Sequence, residues 1–310
     1  MAAPGSKKVV IAALIGNFLI SISKFGASAY TGSSAMLSEA IHSLVDTVNQ
    51  ALMLFGLKQS TKSADAQHPF GYGREVYFWA FVVAMLIFGV GAGVAIYEGI
   101  EKLKHPTPVT NYAVNYMVLG AAFIFEAGAW WVAFKEFKRQ KGSGGYFKAV
   151  RASKDPTVFT VLFEDSAAMA GIIVAFVGIA LVQATGMAWL DGAASILIGM
   201  ILAAVAGFLS FECKGLLIGE SASQQVIDGI RALVNSYAGQ ASVNELLTMH
   251  LGPQDVLVNI SLDFADSLSS VDVERLVSEL EQRIKANHKD VTRVFIEAQS
   301  FAGHNRMKRL

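Results

Sequence analysis

The sequence predicts an α-helical membrane protein with six transmembrane helices, followed by a small cytoplasmic α+β domain of αββαβ, ferredoxin-like order. Hydrophobic residues make up 53% of the chain and charged residues only 16%, against roughly 25% charged residues in soluble domains. Long apolar runs also give way, near the C-terminus, to short amphipathic segments. We therefore expect two domains, residues 1–217 in the membrane and residues 218–310 in water.

Each membrane helix needs about 20 mainly apolar residues, because the hydrocarbon core is roughly 30 Å thick. The segments that meet this requirement are Val9–Tyr30, Met36–Gly56, Tyr77–Ile96, Ala113–Phe134, Phe159–Val182 and Trp189–Phe211. They are expected to be helices, because an open strand would leave backbone groups without hydrogen bonds in lipid.

Basic residues orient the predicted helices, since cytoplasmic loops carry an excess of lysine and arginine. Such residues precede the first helix and fill the loops between helices two and three and between helices four and five. The opposite loops are short, and their basic residues are Lys102 and Lys104. Both termini are therefore expected in the cytoplasm. The segment Gly142–Gly145, between helices four and five, predicts a flexible, solvated linker.

Residues 218–310 show the periodicities of a small mixed domain. Apolar residues at helical spacing are Val226, Ile230, Leu233 and Tyr237, and those that alternate as in a half-buried strand are Val256, Val258, Ile260, Leu262 and Phe264. Val243–His250 and Val291–Glu297 are predicted as further strands. A second helix is predicted to start at Ser269–Ser270, with Asp272 in its first turn. Residues after Ala302 are expected to form a loose tail.

Ionisable side chains within membrane helices are costly and mark functional sites. His42 and Asp46 lie four residues apart on one face of the second helix, and Asn49 continues that face. Glu164 and Asp165 lie in the fifth helix, about 100° apart around its axis, so we expect only Glu164 to bind a ligand directly. A histidine with carboxylates forms a nitrogen and oxygen site that suits Zn²⁺, whereas Mg²⁺ or Ca²⁺ prefers oxygen alone. The alternative is that His42 and Asp46 only pair with each other or cap neighbouring helices.

Other polar residues in the spans have structural interpretations. Asn17 and Lys24 in the first helix are expected to pair with acids on neighbouring helices. Glu126 in the fourth helix is a candidate proton carrier or a partner for Lys24. Asp191 lies at a helix end, where we expect solvent or lipid headgroups to contact it. The single cysteine excludes a disulfide framework, and the zero net charge gives no indication of nucleic-acid binding.

Three segments carry a resemblance to a known family. Residues 32–46 have the sequence GSSAMLSEAIHSLVD, and residues 68–74 have the sequence HPFGYGR. Together they resemble the cation diffusion facilitator family, and the similarity extends over nearly the whole chain. Residues 162–168, LFEDSAA, resemble the branch that contains the mitochondrial zinc transporter nine and its bacterial relatives. The resemblance implies a homodimeric exporter of zinc or a related metal, usually in exchange for protons.

The resemblance also implies roles for single residues. His42 and Asp46 match the family's ligand pair in the second helix, and Glu164 stands where the family usually has histidine or aspartate. Ala168 stands where the family usually has a further aspartate. The missing ligand would then be supplied by Asn49, Asp165 or water.

Two further metal sites of the family are matched only in part. Asp65 and His68 match a site in the loop between helices two and three, but Tyr72 stands in place of its third ligand. A glycine-rich turn without metal is the alternative for this loop. The family's C-terminal ligand positions fall near Asn244, Ser261, Glu297 and Gln299, so we expect that domain to dimerise and not to sense metal.

The sequence therefore predicts a transporter, with Zn²⁺ as transported substrate and no resident cofactor. Alternating access would take Zn²⁺ from the cytoplasm and release it as His42 and a carboxylate take up protons, with Glu126 as a further proton-coupling candidate. Mn²⁺, Fe²⁺, Co²⁺ and Ni²⁺ are alternative cargoes, and a non-transporting metal receptor or scaffold is the alternative function. An enzyme is not expected, since the chain lacks the His-Glu-x-x-His motif of metalloproteases.

The expected partners are a second copy of the chain, the metal cation, protons and the lipid bilayer, with no nucleic acid. The expected location is a bacterial inner membrane.

Overall fold

The structure is a computed structural model that describes residues 4–140 and 154–308. Long helices form the first part of the chain: α1 (Pro4–Thr31), α2 (Ser34–Ser60), α3 (Glu75–Lys104), α4 (Tyr112–Gln140), α5 (Pro156–Thr185) and α6 (Trp189–Ile218). Helix α3 contains a π-helical segment, Ile87–Ala92. The linker predicted at residues 142–145 lies outside the described residues.

Helices α3, α4, α5 and α6 are long and apolar enough to span a bilayer. Helices α1 and α2 have 28 and 27 residues, which at about 1.5 Å per residue also exceeds the hydrocarbon thickness. Buried polar residues such as Glu39, His42 and Asp46 lower the mean hydropathy of α2. The apolar helices confirm a helical membrane protein, and the spans assigned to α1 and α2 stay predictions.

The first turn of α2 is held by Asp191, near the start of α6. The Asp191 carboxylate is fully buried and accepts hydrogen bonds at 2.6 Å from the Ser33 hydroxyl and from the backbone N–H of Ser34. Lys102 Nζ lies 3.6 Å from the same carboxylate. The bonds satisfy donors at the N-terminus of α2, where the helix dipole also favours negative charge. The expectation that solvent or headgroups contact Asp191 is wrong, because the start of α2 encloses it.

The chain forms two compact units, residues 1–59 with 75–214 and residues 60–74 with 215–310. The loop after α2 therefore packs with the C-terminal residues, a contact that no local sequence pattern indicates. A Cβ atom at Gly73 would lie 2.5 Å from the carbonyl oxygen of Leu251, so this approach requires glycine. Arg293 also donates a hydrogen bond to the carbonyl oxygen of Pro69 at 3.2 Å. The predicted boundary at residues 217 and 218 stays a prediction.

The second unit contains α7 (Gln224–Asn235), β1 (Ala241–Gly252), β2 (Asp255–Phe264), α8 (Ser270–Asn287), β3 (Val291–Ala298) and α9 (Phe301–Met307). The sheet order is β1-β2-β3, with β1 antiparallel and β3 parallel to β2. This reproduces the predicted αββαβ order. The predicted loose tail is wrong, because Ser300 accepts a hydrogen bond from the backbone of Gly303 and caps the helix α9.

One apolar core stabilises the second unit. The strand residues predicted to alternate, Val256, Val258, Ile260 and Leu262, are all buried. They pack with α7 residues Ile230 and Val234 and with α8 residues Leu276, Leu280 and Ile284. Ser269 and Asp272 form a capping box at the start of α8, which agrees with the predicted helix start.

Candidate metal centre

Helix α2 presents a buried polar face to the interior of the first unit. His42 and Asn49 are fully buried, and Asp46 is 5% exposed. These residues lie four and three positions apart, a spacing that places them on one side of a helix. His42 Nδ1 lies 3.3 Å from Asp46 Oδ1. The structure thus brings together the three residues predicted in the second helix.

Helix α5 brings a carboxylate to this face. Glu164 and Asp165 are both buried, but only Glu164 makes a hydrogen bond to α2, in which Asn49 Nδ2 donates to Glu164 Oε1 at 2.6 Å. The carboxyl groups of Asp46 and Glu164 also interact with each other as side-chain hydrogen-bond partners. Glu164 is therefore the α5 carboxylate that faces α2, and Asp165 lies to one side of it.

Several atoms of this cluster lack hydrogen-bond partners although they are buried. They are both ring nitrogens of His42, Oδ1 of Asp46, Oδ1 of Asn49 and Oδ2 of Asp165. Buried polar atoms are normally satisfied, because desolvation without a partner costs about 1–3 kcal/mol. An imidazole with carboxylate and amide oxygens is a donor set that zinc accepts.

The donor atoms do not converge on one point in this conformation. Among residues 4–140 and 154–308, no three His, Cys, Asp or Glu side chains are grouped closely enough to hold one metal ion. The side chains instead contact one another in sequence, His42 with Asp46, Asp46 with Glu164, and Glu164 with Asn49. Ala168, one turn after Glu164, is buried and supplies no ligand atom. Side chains must therefore rotate before three of them can bind one ion.

Lys24 on α1 is bound to α2. Its ammonium group lies 3.0 Å from Glu39 Oε2 and donates a hydrogen bond to the Ser43 hydroxyl at 2.7 Å. The predicted pairing of Lys24 with an acid on a neighbouring helix is thus confirmed, with Glu39 as the acid. Glu126 interacts with Lys24 only at longer range, and its role in proton coupling stays a prediction. Glu126 is buried and lies within electrostatic range of Asp46 and Asp165.

Sequence reasoning missed Glu39 as part of this interior cluster. Glu39 precedes His42 by three residues and therefore lies on the same side of α2. Glu39 belongs to the segment of residues 32–46 that resembles the family, but the resemblance implies roles only for His42 and Asp46. The signal that identifies it is the buried lysine of α1, which needs a carboxylate partner at membrane depth.

The loop site contains a turn built around Asp65. Its carboxylate accepts hydrogen bonds from the Tyr72 hydroxyl at 2.6 Å and from the backbone N–H groups of His68 and Gln67 at 2.7 and 2.9 Å. These bonds, led by that from Tyr72, hold the pKa of Asp65 below its usual value. The Asp65 and His68 side chains are about half exposed, with Nδ1 and Oδ1 3.7 Å apart. The geometry fits the glycine-rich turn, and metal binding by Asp65 and His68 stays a prediction.

The positions in the C-terminal unit that match the family's metal ligands form hydrogen bonds to one another. The amide group of Asn244 donates hydrogen bonds to the Gln299 carbonyl oxygen at 2.7 Å and to the Ser261 hydroxyl at 3.4 Å. Glu297 is exposed. An amide and a hydroxyl bound in this way are poor zinc ligands, since zinc prefers thiolate, imidazole and carboxylate groups.

Comparison with known proteins identifies sequence relatives of the chain. The profile of the cation efflux transmembrane domain matches residues 10–218. The chain is 32% identical to "Proton-coupled zinc antiporter SLC30A9, mitochondrial" of Xenopus laevis over 286 residues, which are 90% of this chain and 51% of that protein. The chain spans about half the length of these antiporter relatives.

More distant relatives extend the comparison. "Metal tolerance protein C4" of Arabidopsis thaliana is 31% identical over 263 residues, covering 84% of this chain and 57% of that protein. "Cation-efflux pump FieF" of Shigella flexneri is 26% identical over 284 residues, covering 90% of this chain and 87% of that protein. The names of these relatives describe metal transport or tolerance, and none of them describes an enzyme.

Asn49→Ala tests whether the amide group orients Glu164. We expect this variant to bind Zn²⁺ about 10- to 100-fold more weakly, the usual cost of removing a residue that orients a metal ligand. Asn115→Ala is the matched control, because Asn115 is also buried but accepts a hydrogen bond from Thr31 at 3.0 Å. The measurement is competition with a zinc indicator in detergent. Equal Zn²⁺ affinities for both variants would show that Asn49 does not support the site.

Proposed function

We propose, since the chain belongs to the cation efflux family, also called cation diffusion facilitators, that it exports Zn²⁺ from the cytoplasm in exchange for protons. Family membership rests on the match over residues 10–218 and confirms the resemblance found in the sequence. It makes the chain a membrane transporter of cations and not an enzyme. The metal is accordingly the transported substrate and not a resident cofactor.

The observation that carries the proposal is the buried cluster between α2 and α5. His42, Asp46 and Glu164 place an imidazole and two carboxylates inside the first unit, and ligand-type atoms of His42 and Asp46 are unsatisfied. A mixed nitrogen and oxygen site suits Zn²⁺. The fourth ligand would be Asn49, Asp165 or water, since Ala168 offers none. Mn²⁺, Fe²⁺, Co²⁺ and Ni²⁺ are the alternative cargoes.

The distribution of side chains on α1 and α2 supports six membrane spans. Strongly polar residues in the middle of both helices are buried, including Lys24, Glu39 and His42. Apolar residues of the same helices are exposed, namely Ile15, Phe18, Leu19 and Ile22 on α1 and Leu44, Val48, Leu54 and Phe55 on α2. Polar groups inside and apolar groups outside are the pattern of a helix that contacts lipid.

Proton exchange follows from the chemistry of the proposed ligands. Metal ions bind deprotonated histidine and carboxylate groups, so proton uptake and metal release are linked. Asp46 and Glu164 lie close enough for their carboxyl groups to interact, and two carboxyl groups that share a buried site favour holding one proton between them. A proton in that position is displaced when a cation binds both groups. Glu126 lies within electrostatic range of both carboxyl groups, which supports it as a further proton-coupling candidate.

The excess of basic residues in the loops after α2 and α4 supports a topology with both termini in the cytoplasm. A bacterial inner membrane agrees with the bacterial pumps among the relatives, while the antiporters of similar sequence are named mitochondrial.

Homodimerisation through the C-terminal unit is part of the same proposal. Helices α7 and α8 cover one face of its sheet, and Leu247 and Phe295 are 55% and 53% exposed on the strands. Both pair in register with Asn259 of the central strand, so they lie in one row. An exposed apolar row of this kind suits contact with a second copy.

The isolated fragment 218–310 is expected to self-associate with a metal chelator present, because its apolar core is complete without residues outside it. Phe295→Asp should give a monomer, whereas Val271→Asp, at a residue 70% exposed on α8, should not. The measurement is light scattering after gel filtration. Association that requires stoichiometric Zn²⁺ would contradict this part of the proposal.

Zinc flux into proteoliposomes with an imposed pH gradient tests the transport site. We expect His42→Ala, Asp46→Ala and Glu164→Ala each to abolish flux, because too little ligand charge remains to offset dehydration of a divalent cation at membrane depth. Asp165→Asn should have a milder effect, because Glu164 is the α5 carboxylate that is hydrogen-bonded to Asn49 of α2. Gel filtration of each variant controls for folding.

Two results would contradict the assignment. Near-normal flux in Glu164→Ala together with loss in Asp165→Asn would mean that Asp165 is the ligand. Wild-type protein that binds Zn²⁺ but carries no metal across the membrane would favour the receptor or scaffold.

A further inference from the structure

A fully buried ion pair lies beside the proposed transport site. Lys24 and Glu39 are each 0% exposed, with Nζ and Oε2 3.0 Å apart. Taking two charges out of water costs free energy that their attraction often does not recover, so a buried ion pair is weak evidence for a stabilising role. The pair therefore calls for a function beyond the joining of α1 to α2.

Lys24 contacts only one oxygen of the Glu39 carboxylate, Oε2. Its other oxygen, Oε1, is buried and has no hydrogen-bond partner. That oxygen lies directly against α5, where a Cβ atom at position 171 would overlap it. Gly171 thus makes room for an anionic oxygen that the protein leaves unsatisfied. An unsatisfied carboxylate oxygen in this setting is a site for a cation.

The pair also lies between the proposed site and a cavity. The cavity has a volume of about 540 Å³, and its lining includes Ser28, Ser34, Leu37, Glu98 and Glu101. Along α1, Ser28 follows Lys24 by one turn on the same face, so the Lys24 side of the pair adjoins the cavity. Along α2, Glu39 lies three residues before His42 on the same face. A cation that moves from His42 to the cavity along these two faces therefore passes the pair.

We propose that Glu39 is a second cation-binding station of the transport path, and that Lys24 occupies this station in the present conformation. The tethered ammonium group satisfies Glu39 and closes the route between His42 and the cavity. A divalent cation that leaves His42 and Asp46 binds Glu39 in its place, and Lys24 withdraws towards Ser43. This inference rests on the proposed function, because it assumes that a cation moves through the His42 site.

The test compares variants that separate the charge of the pair from its structural role. Lys24→Met with Glu39→Gln removes both charges, so neither residue is left buried with an unpaired charge. A second variant exchanges the two residues, Lys24→Glu with Glu39→Lys, and keeps the ion pair while moving the carboxylate to α1. Thr31→Val is the control, because Thr31 is a buried polar residue of α1 that bonds to Asn115. Cation affinity in detergent and maximal flux in proteoliposomes are measured for each.

We expect both double variants to keep wild-type affinity at the His42 site within about threefold and to lose at least about tenfold in maximal flux, equivalent to about 1.4 kcal/mol in the barrier. Thr31→Val should match the wild type in both measurements. A purely structural ion pair predicts wild-type flux in the exchanged variant, and that result would overturn the proposal. If the neutral double variant fails to fold, the exchanged variant decides the question alone.

Wild-type flux is measured first with Zn²⁺, Mn²⁺, Co²⁺, Ni²⁺ and Fe²⁺, and the flux ratios use whichever cation is carried. A wild type that carries Mn²⁺ and not Zn²⁺ would overturn the proposed cargo. The ratio of variant to wild-type flux would still decide the role of Glu39.

Discussion

The membrane part of the protein depends on one constraint, which is that charged side chains at membrane depth need partners because lipid offers none. Helix α2 is where these partnerships meet. Lys24 of α1 pairs with Glu39, Glu164 of α5 accepts a hydrogen bond from Asn49, and Asp191 of α6 holds the first turn. The helix that carries the proposed metal ligands is therefore held by polar bonds from three neighbouring helices. Movement of a cation along α2 must exchange some of these bonds for others.

Much of the fold follows from local patterns in the sequence. The alternation of Val256, Val258, Ile260 and Leu262 identified the central strand, and Ser269 with Asp272 identified the start of α8, because burial and capping act over a few residues. Helix α9 was missed because its cap, Ser300, is followed by few apolar residues. The packing of the loop after α2 on the C-terminal residues was missed for another reason. It depends on Gly73 and Leu251, whose contact joins positions far apart in the chain.

The sequence predicted which residues form the candidate site, but not which hydrogen bonds and ion pairs they make with one another. The spacing of His42 and Asp46 and the helical angle between Glu164 and Asp165 were enough to select the residues that face one another. The bond from Asn49 to Glu164 and the pairing of Lys24 with Glu39 were not predictable, because several polar residues at membrane depth compete for the same partners. Asp191 shows the same limit, since its position at a helix end gave no indication that it caps α2.

The central claim is that His42 binds the transported metal together with carboxylates of α2 and α5. Zinc X-ray absorption spectroscopy of the zinc-loaded protein measures the ligand shell directly. The account predicts nitrogen and oxygen neighbours at about 2.0–2.2 Å without sulfur, and loss of the imidazole scattering signal in His42→Ala. A shell that contains sulfur, or an imidazole signal that persists unchanged in His42→Ala, would contradict it.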